Sequence, residues 1–191
     1  MTGKIYLDAQ GLLEDSFRLG AQVVASGFRP TMMVAIWRGG APVGVAVQEL
    51  LAYRGIETDH IAIRTSSYTG IDGRSTEIRI HGLGYLVEKA SHEDSLLIVD
   101  DVFDTGSTIE AVISELQGRA RLNTPHDIRV AVPYFKPSRN LTDRTPDYYL
   151  HETEQWLKYP HSLEGLAVEE VAEHRPALYA IIRRCLAVPS D

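Results

Sequence analysis

The chain alternates short apolar runs with longer segments in which apolar residues return every three or four positions. Gly11 to Ser26 is of the second kind. Leu12, Leu13, Phe17, Val23 and Val24 fall near helical spacing there, which predicts an amphipathic helix. Thr31 to Trp37 is of the first kind and predicts a buried strand. Arg38-Gly39-Gly40 follows as a turn, Pro42 suits a first helical position, and Val43 to Tyr53 predicts a helix. Asp59 to Thr65 reads as a strand, Ser66 to Ser75 as a polar, glycine-containing loop, and Thr76 to His81 as the alternating return strand. Ser95 to Asp100 is a strand, Ser107 to Gln117 a helix, Ile128 to Tyr134 a strand and Tyr148 to His151 a short last strand. His174 to Ala187 reads as a C-terminal helix. Strands alternating with helices predict an α/β fold, a doubly wound and mainly parallel sheet flanked by helices.

Length and composition narrow this further. A chain of 191 residues is ample for one α/β domain and short for two, so residues 1–191 are expected to form a single domain. No 18-residue apolar run is present, and Met1 to Asp8 lacks the apolar core of a signal peptide. The single cysteine, Cys185, excludes an internal disulfide and fits a reducing compartment. The expectation is therefore a cytoplasmic protein with no membrane segment. Cys185 falls in an apolar helical pattern and reads as core filler. The net charge of −7 argues against a general nucleic-acid binder but allows a local basic site for a polyphosphate. Tyr148, Tyr149, His151, His161 and His174 read as packing or surface residues, because no zinc-ligand spacing accompanies them.

The chemistry concentrates in Val99-Asp100-Asp101-Val102-Phe103-Asp104-Thr105-Gly106-Ser107-Thr108, between a buried strand and a helix. Three carboxylates so close repel one another, and a packed fold gains nothing from them. A helix N-terminus offers free N–H donors and partial positive charge. With the hydroxyls of Thr105, Ser107 and Thr108, and with Gly106 allowing close approach, it can cradle a phosphate. This is not a Walker loop, since the Gly-Lys-Ser/Thr ending is missing. Asp100 and Asp101 lie at the strand's C-terminal edge and point to opposite faces. One can accept from sugar hydroxyls and the other can hold Mg2+.

This string resembles the phosphoribosyl-pyrophosphate (PRPP) binding motif of type I phosphoribosyltransferases. The resemblance implies that Asp100 and Asp101 bind ribose hydroxyls and Mg2+, that Thr105, Gly106, Ser107 and Thr108 bind the 5′-phosphate, and that Asp104 faces N7 of a purine base. Arg38-Gly39-Gly40 matches the family's pyrophosphate-binding turn, which implies a cis peptide at Trp37–Arg38. Ser67-Tyr68 matches the Ser-Tyr of the flexible catalytic loop, a lid over the reaction. Tyr134-Phe135-Lys136-Pro137 and Trp156-Leu157-Lys158-Tyr159-Pro160 resemble the base-binding segments of the hypoxanthine and xanthine-guanine branch. In that branch Lys136 would donate to O6, and Trp156 and Leu157 would cover the ring. Pro160 is followed by His161 where the branch carries Trp. The implied activity transfers phosphoribosyl from PRPP to N9 of a 6-oxopurine with Mg2+, releasing pyrophosphate, in a homo-oligomer (dimer or tetramer) with a small hood region. The alternatives are a non-catalytic PRPP-sensing regulator and a phosphoribosyltransferase for another base. A nicotinamide dehydrogenase is excluded, because His81-Gly82-Leu83-Gly84 lacks the third glycine and the strand-to-helix setting.

Overall fold

The computed structural model describes residues 3–69 and 76–186. In chain order the elements are β1 (Lys4–Tyr6), α1 (Ala9–Ala25), β2 (Met32–Trp37), α2 (Gly40–Tyr53), β3 (Asp59–Thr69), β4 (Thr76–His81) and α3 (Gly84–Lys89). They continue with β5 (Ser95–Val99), β6 (Val102–Phe103), α4 (Ser107–Ala120), β7 (Asp127–Phe135), β8 (Tyr148–Glu152), β9 (Trp156–Lys158), α5 (Val168–His174) and α6 (Pro176–Leu186). Two compact units result, one of residues 10–154 and one of residues 1–9 with 155–191.

The larger unit holds a seven-stranded sheet in the order β4-β3-β2-β5-β7-β6, with β8 also paired to β7. All pairings are parallel except β3 with β4. The expected mainly parallel α/β sheet is therefore present. Met32, Val34, Ile36, Leu96, Ile98, Val130 and Val132 pack in one cluster with Leu86 of α3 and Ile109, Val112, Ile113 and Leu116 of α4. The alternate residues Met33, Ala35, Leu97, Val99 and Ala131 are buried as well. On that second face α2 comes so close that a Cβ on Gly44 would stand 2.6 Å from the Cβ of Ala35. Both faces are covered, and this is why the strands read as unbroken apolar runs. β7 continues through Pro133, and the β7–β8 register passes from Val132↔Tyr149 to Tyr134↔His151 around that residue, which has no N–H to give.

β2 is the switch point of the sheet: it pairs with β3 on one side and β5 on the other. In such sheets the crevice beyond the strand ends takes the ligand. The Arg38 turn follows β2 and the acidic string follows β5, so both candidate loops open into this crevice.

The smaller unit pairs β1 with β9 in parallel and adds α5 and α6. The Tyr6 hydroxyl donates to Glu170 at 2.8 Å, Lys4 pairs with the same carboxylate, and the Tyr6 and His174 rings stack at 3.7 Å. The Arg175 guanidinium donates to the carbonyls of Lys158, Pro160 and Ser162.

Three expectations are corrected. Ser66 to Thr69 is strand, not loop, because Thr76 to Arg79 supply its backbone partners. The rest of the expected lid, residues 70–75, lies outside the described residues. The helix read from His174 begins at Pro176, and His174 ends a separate helix, α5: Pro176 lacks an N–H and keeps Arg175 (φ −144°, ψ 58°) out of helical geometry. Finally, α2 begins at Gly40, with Pro42 inside its first turn, where backbone donors have no intrahelical partner anyway. Among the described residues no helix is long and apolar enough to cross a membrane.

Candidate active site

Gly106 caps α4 in the left-handed region, with φ +77°. A Cβ there would stand 2.5 Å from Thr142 Oγ1 and 2.8 Å from the Phe103 ring, so geometry and space both demand glycine. The cap residue has no side chain to satisfy the first turn. The Thr105 hydroxyl donates to Ser107 Oγ at 3.2 Å and accepts from the Ser107 N–H at 3.4 Å. A cavity of ≈ 180 Å³ opens here, lined by residues 100–106 with Thr108 and Ile109. Helix-end donors and clustered hydroxyls at its floor suit a phosphate.

The acidic pair borders the same cavity. The Asp101 N–H donates to Asp100 Oδ1 at 2.9 Å, and the Asp100 N–H to the Ala131 carbonyl at 3.2 Å. Burial, and then repulsion from Asp101, push the Asp100 carboxyl well above the usual carboxylate range. The turn after β2 presses against this pair. A Cβ on Gly39 would lie 2.0 Å from Asp101 Oδ2, and one on Gly40 2.7 Å from Asp100 Cα. Only glycine allows the two loops to meet. The Trp37–Arg38 peptide is cis, as the resemblance implies. Trp37 and Arg38 are both exposed.

Asp104 forms the third corner. Lys136, buried after the end of β7, donates from Nζ to Asp104 Oδ2 at 3.1 Å. Its N–H donates to the Phe103 carbonyl at 2.9 Å, tying the end of β7 to the acidic string. Arg139, in the short 3-10 turn Pro137–Arg139, brings Nε to 2.7 Å from Asp104 Oδ1. The next residues brace the loop that leads into α4. The Leu141 N–H donates to the Thr105 carbonyl at 3.0 Å, and Arg144 Nε meets Glu110 of α4 at 2.7 Å.

Arg38, Gly39, Gly40, Asp100, Asp101, Asp104, Thr105, Gly106, Ser107, Thr108 and Lys136 thus converge around one crevice. Ser67 and Tyr68 sit on β3, in register with Ile78 and Glu77 of β4. Trp156 and Leu157 belong to β9 of the smaller unit, not to these loops. Sequence reasoning missed Arg139, Thr142 and Arg144. The only available signal was a second cation soon after Lys136.

A family model described as phosphoribosyl transferase domain matches residues 2–169. A purine phosphoribosyltransferase from Pyrococcus horikoshii Ot3 is 26% identical, over 86% of this chain and 97% of that one, with a TM-score of 0.66. A hypothetical protein from Neisseria gonorrhoeae with bound ppGpp is 21% identical, over 94% and 98%, with a TM-score of 0.72. Helicobacter pylori xanthine-guanine-hypoxanthine phosphoribosyltransferase is 21% identical, over 82% and 92%, with a TM-score of 0.62. Curated protein sequences gave no match. With a family match across most of its length, including both glycine-bearing loops, the chain belongs to the phosphoribosyl transferase domain family.

Proposed function

We propose that the protein is a cytoplasmic purine phosphoribosyltransferase that makes a nucleoside 5′-monophosphate from PRPP and a 6-oxopurine. The observation that carries this reading is the convergence at the β2–β5 switch point. A phosphate cradle, an acidic pair and a glycine turn meet there, with an Asp–Lys pair at the cradle's edge.

In this reading the α4 N-terminus and the hydroxyls of Thr105, Ser107 and Thr108 hold the 5′-phosphate. Asp100 and Asp101 accept from the ribose hydroxyls. Arg38 and the amides of Gly39 and Gly40 hold the pyrophosphate, where negative charge grows as the anomeric C–O bond breaks. N9 of the base bonds to the anomeric carbon, and Asp104 takes the N7 proton, which raises electron density at N9. Lys136 donates to O6. Ser67 and Tyr68 shield the reaction from water.

The donor set suits Mg2+. Two carboxylates stand side by side at Asp100 and Asp101 on the cavity that the phosphate cradle lines. That combination fits an ion that keeps waters and takes substrate phosphates. When bound, Mg2+ neutralises pyrophosphate charge, with Asp100 and Asp101 holding it.

The Pyrococcus enzyme supports purine chemistry, and the ppGpp in the Neisseria protein supports a purine nucleotide in this fold. The test is direct. The protein is mixed with PRPP, Mg2+ and, separately, hypoxanthine, guanine, xanthine, adenine and uracil, and pyrophosphate release is followed. Release with a 6-oxopurine is expected. PRPP binding without release from any base would instead establish the non-catalytic sensor, and release with adenine or uracil alone would reassign the base.

A further inference from the structure

Asp104 has two cationic neighbours of different character. Lys136 Nζ donates to Oδ2 from a side chain only 4% exposed. Arg139 Nε stands 2.7 Å from Oδ1 on a side chain 46% exposed. Oδ1 is itself buried and receives no well-aligned hydrogen bond from the described groups. Arg139 therefore acts on this oxygen by charge.

The backbone beneath Arg139 is firmly held. Its N–H donates to the Lys136 carbonyl at 3.1 Å, and the Ser138 N–H donates to the Glu154 carboxylate at 3.1 Å. A short turn fixed at both points delivers the guanidinium to one place. The terminal torsion of an aspartate is broad, so one partner on Oδ2 does not fix the carboxylate plane. A second cation on Oδ1 does.

We propose that Arg139 is a positioning residue for the transfer reaction: held against the buried Oδ1, it fixes the carboxylate plane of Asp104 and so aims the carboxylate at the proton on N7 of the base. The inference rests on the proposed function and adds to it a residue that touches Asp104 and not the substrate.

The test compares Arg139→Gln and Arg139→Lys with the unmodified protein, in steady-state kinetics with PRPP and the best 6-oxopurine. Arg139→Gln is expected to lower kcat about tenfold while both KM values stay within about twofold. Arg139→Lys restores most of the loss. In an Asp104→Asn background, Arg139→Gln adds no further loss, because the carboxylate it positions is gone. Should Arg139→Gln unfold, Arg139→Met keeps the aliphatic stem and carries the same expectations. Unchanged kcat in Arg139→Gln overturns the proposal. So does an equal loss in the Asp104→Asn background, or a rise in the PRPP KM alone, which would make Arg139 a phosphate ligand. Failure of the unmodified protein to consume any base would overturn the proposed function and this inference together; an active protein indifferent to Arg139 would overturn only the inference.

Discussion

Asp100 and Glu170 are carboxylates with opposite histories. Glu170, in the smaller unit, receives the Lys4 ammonium, the Ala167 N–H and the Tyr6 hydroxyl, and these hold its carboxyl down at about 2. Asp100, in the larger unit, has burial and a like charge against it, and its carboxyl is pushed up. A carboxylate satisfied from within the fold is finished structure. One left in electrostatic debt has a ligand to meet. Asp104 differs from both: Lys136 and Arg139 stand beside it, although no aligned donor reaches its Oδ1.

The contrast can be broken or sharpened by substitution. The largest effect belongs to Asp104→Asn, which should cut turnover by about 10²–10⁴ while PRPP affinity stays within roughly threefold. Full activity in that variant would remove Asp104 from the chemistry. Next comes Gly39→Ala, whose Cβ would fall 2.0 Å from Asp101 Oδ2. Forcing the loops apart costs about 1–3 kcal/mol, so PRPP affinity by calorimetry should drop about tenfold or more.

Asp100→Asn tests the unsatisfied group by melting temperature. A raised acid stabilises the fold while it holds its proton, below its unfolded value of about 3.9, and that contribution is lost as pH climbs through the raised folded value. At neutral pH the Asn variant should therefore melt higher than the parent. The gain should vanish in acid, and Mg2+-dependent PRPP binding should be lost. A lower melting point at neutral pH would show that Asp100 is already satisfied. The smallest effect is expected from Glu170→Gln. A lowered acid stabilises the fold above its unfolded value of about 4.3, and the contribution fades as pH falls toward about 2. The variant should melt slightly lower at neutral pH, converge with the parent in strong acid, and bind PRPP normally. The effect is small because the ion pair is solvent-accessible.

The same contrast explains what could be read from the chain. The phosphate cradle was legible because ten consecutive residues carry it and most of its work is done by backbone at a helix start. The apolar runs likewise revealed the parallel strands. Arg139, Thr142 and Arg144 were not legible, because their roles depend on β7 and the acidic string ending side by side. The strand character of Ser66 to Thr69 was hidden for a similar reason: polar residues extend when a partner strand supplies hydrogen bonds, whatever their own preference. β1 and β9 come from opposite ends of the chain and are three residues each, too short for any periodicity.

Under the proposed function, the stretch from Lys136 to Arg144 has a consequence for anyone wishing to retune nucleobase choice. Its first half addresses Asp104, and its second half props the Thr105 carbonyl and Glu110. A graft of the whole stretch from another enzyme would disturb the grip on the sugar phosphate as well. Exchanging residues 136–139 alone, with Leu141 and Arg144 left in place, is the cut along which selectivity and anchoring come apart.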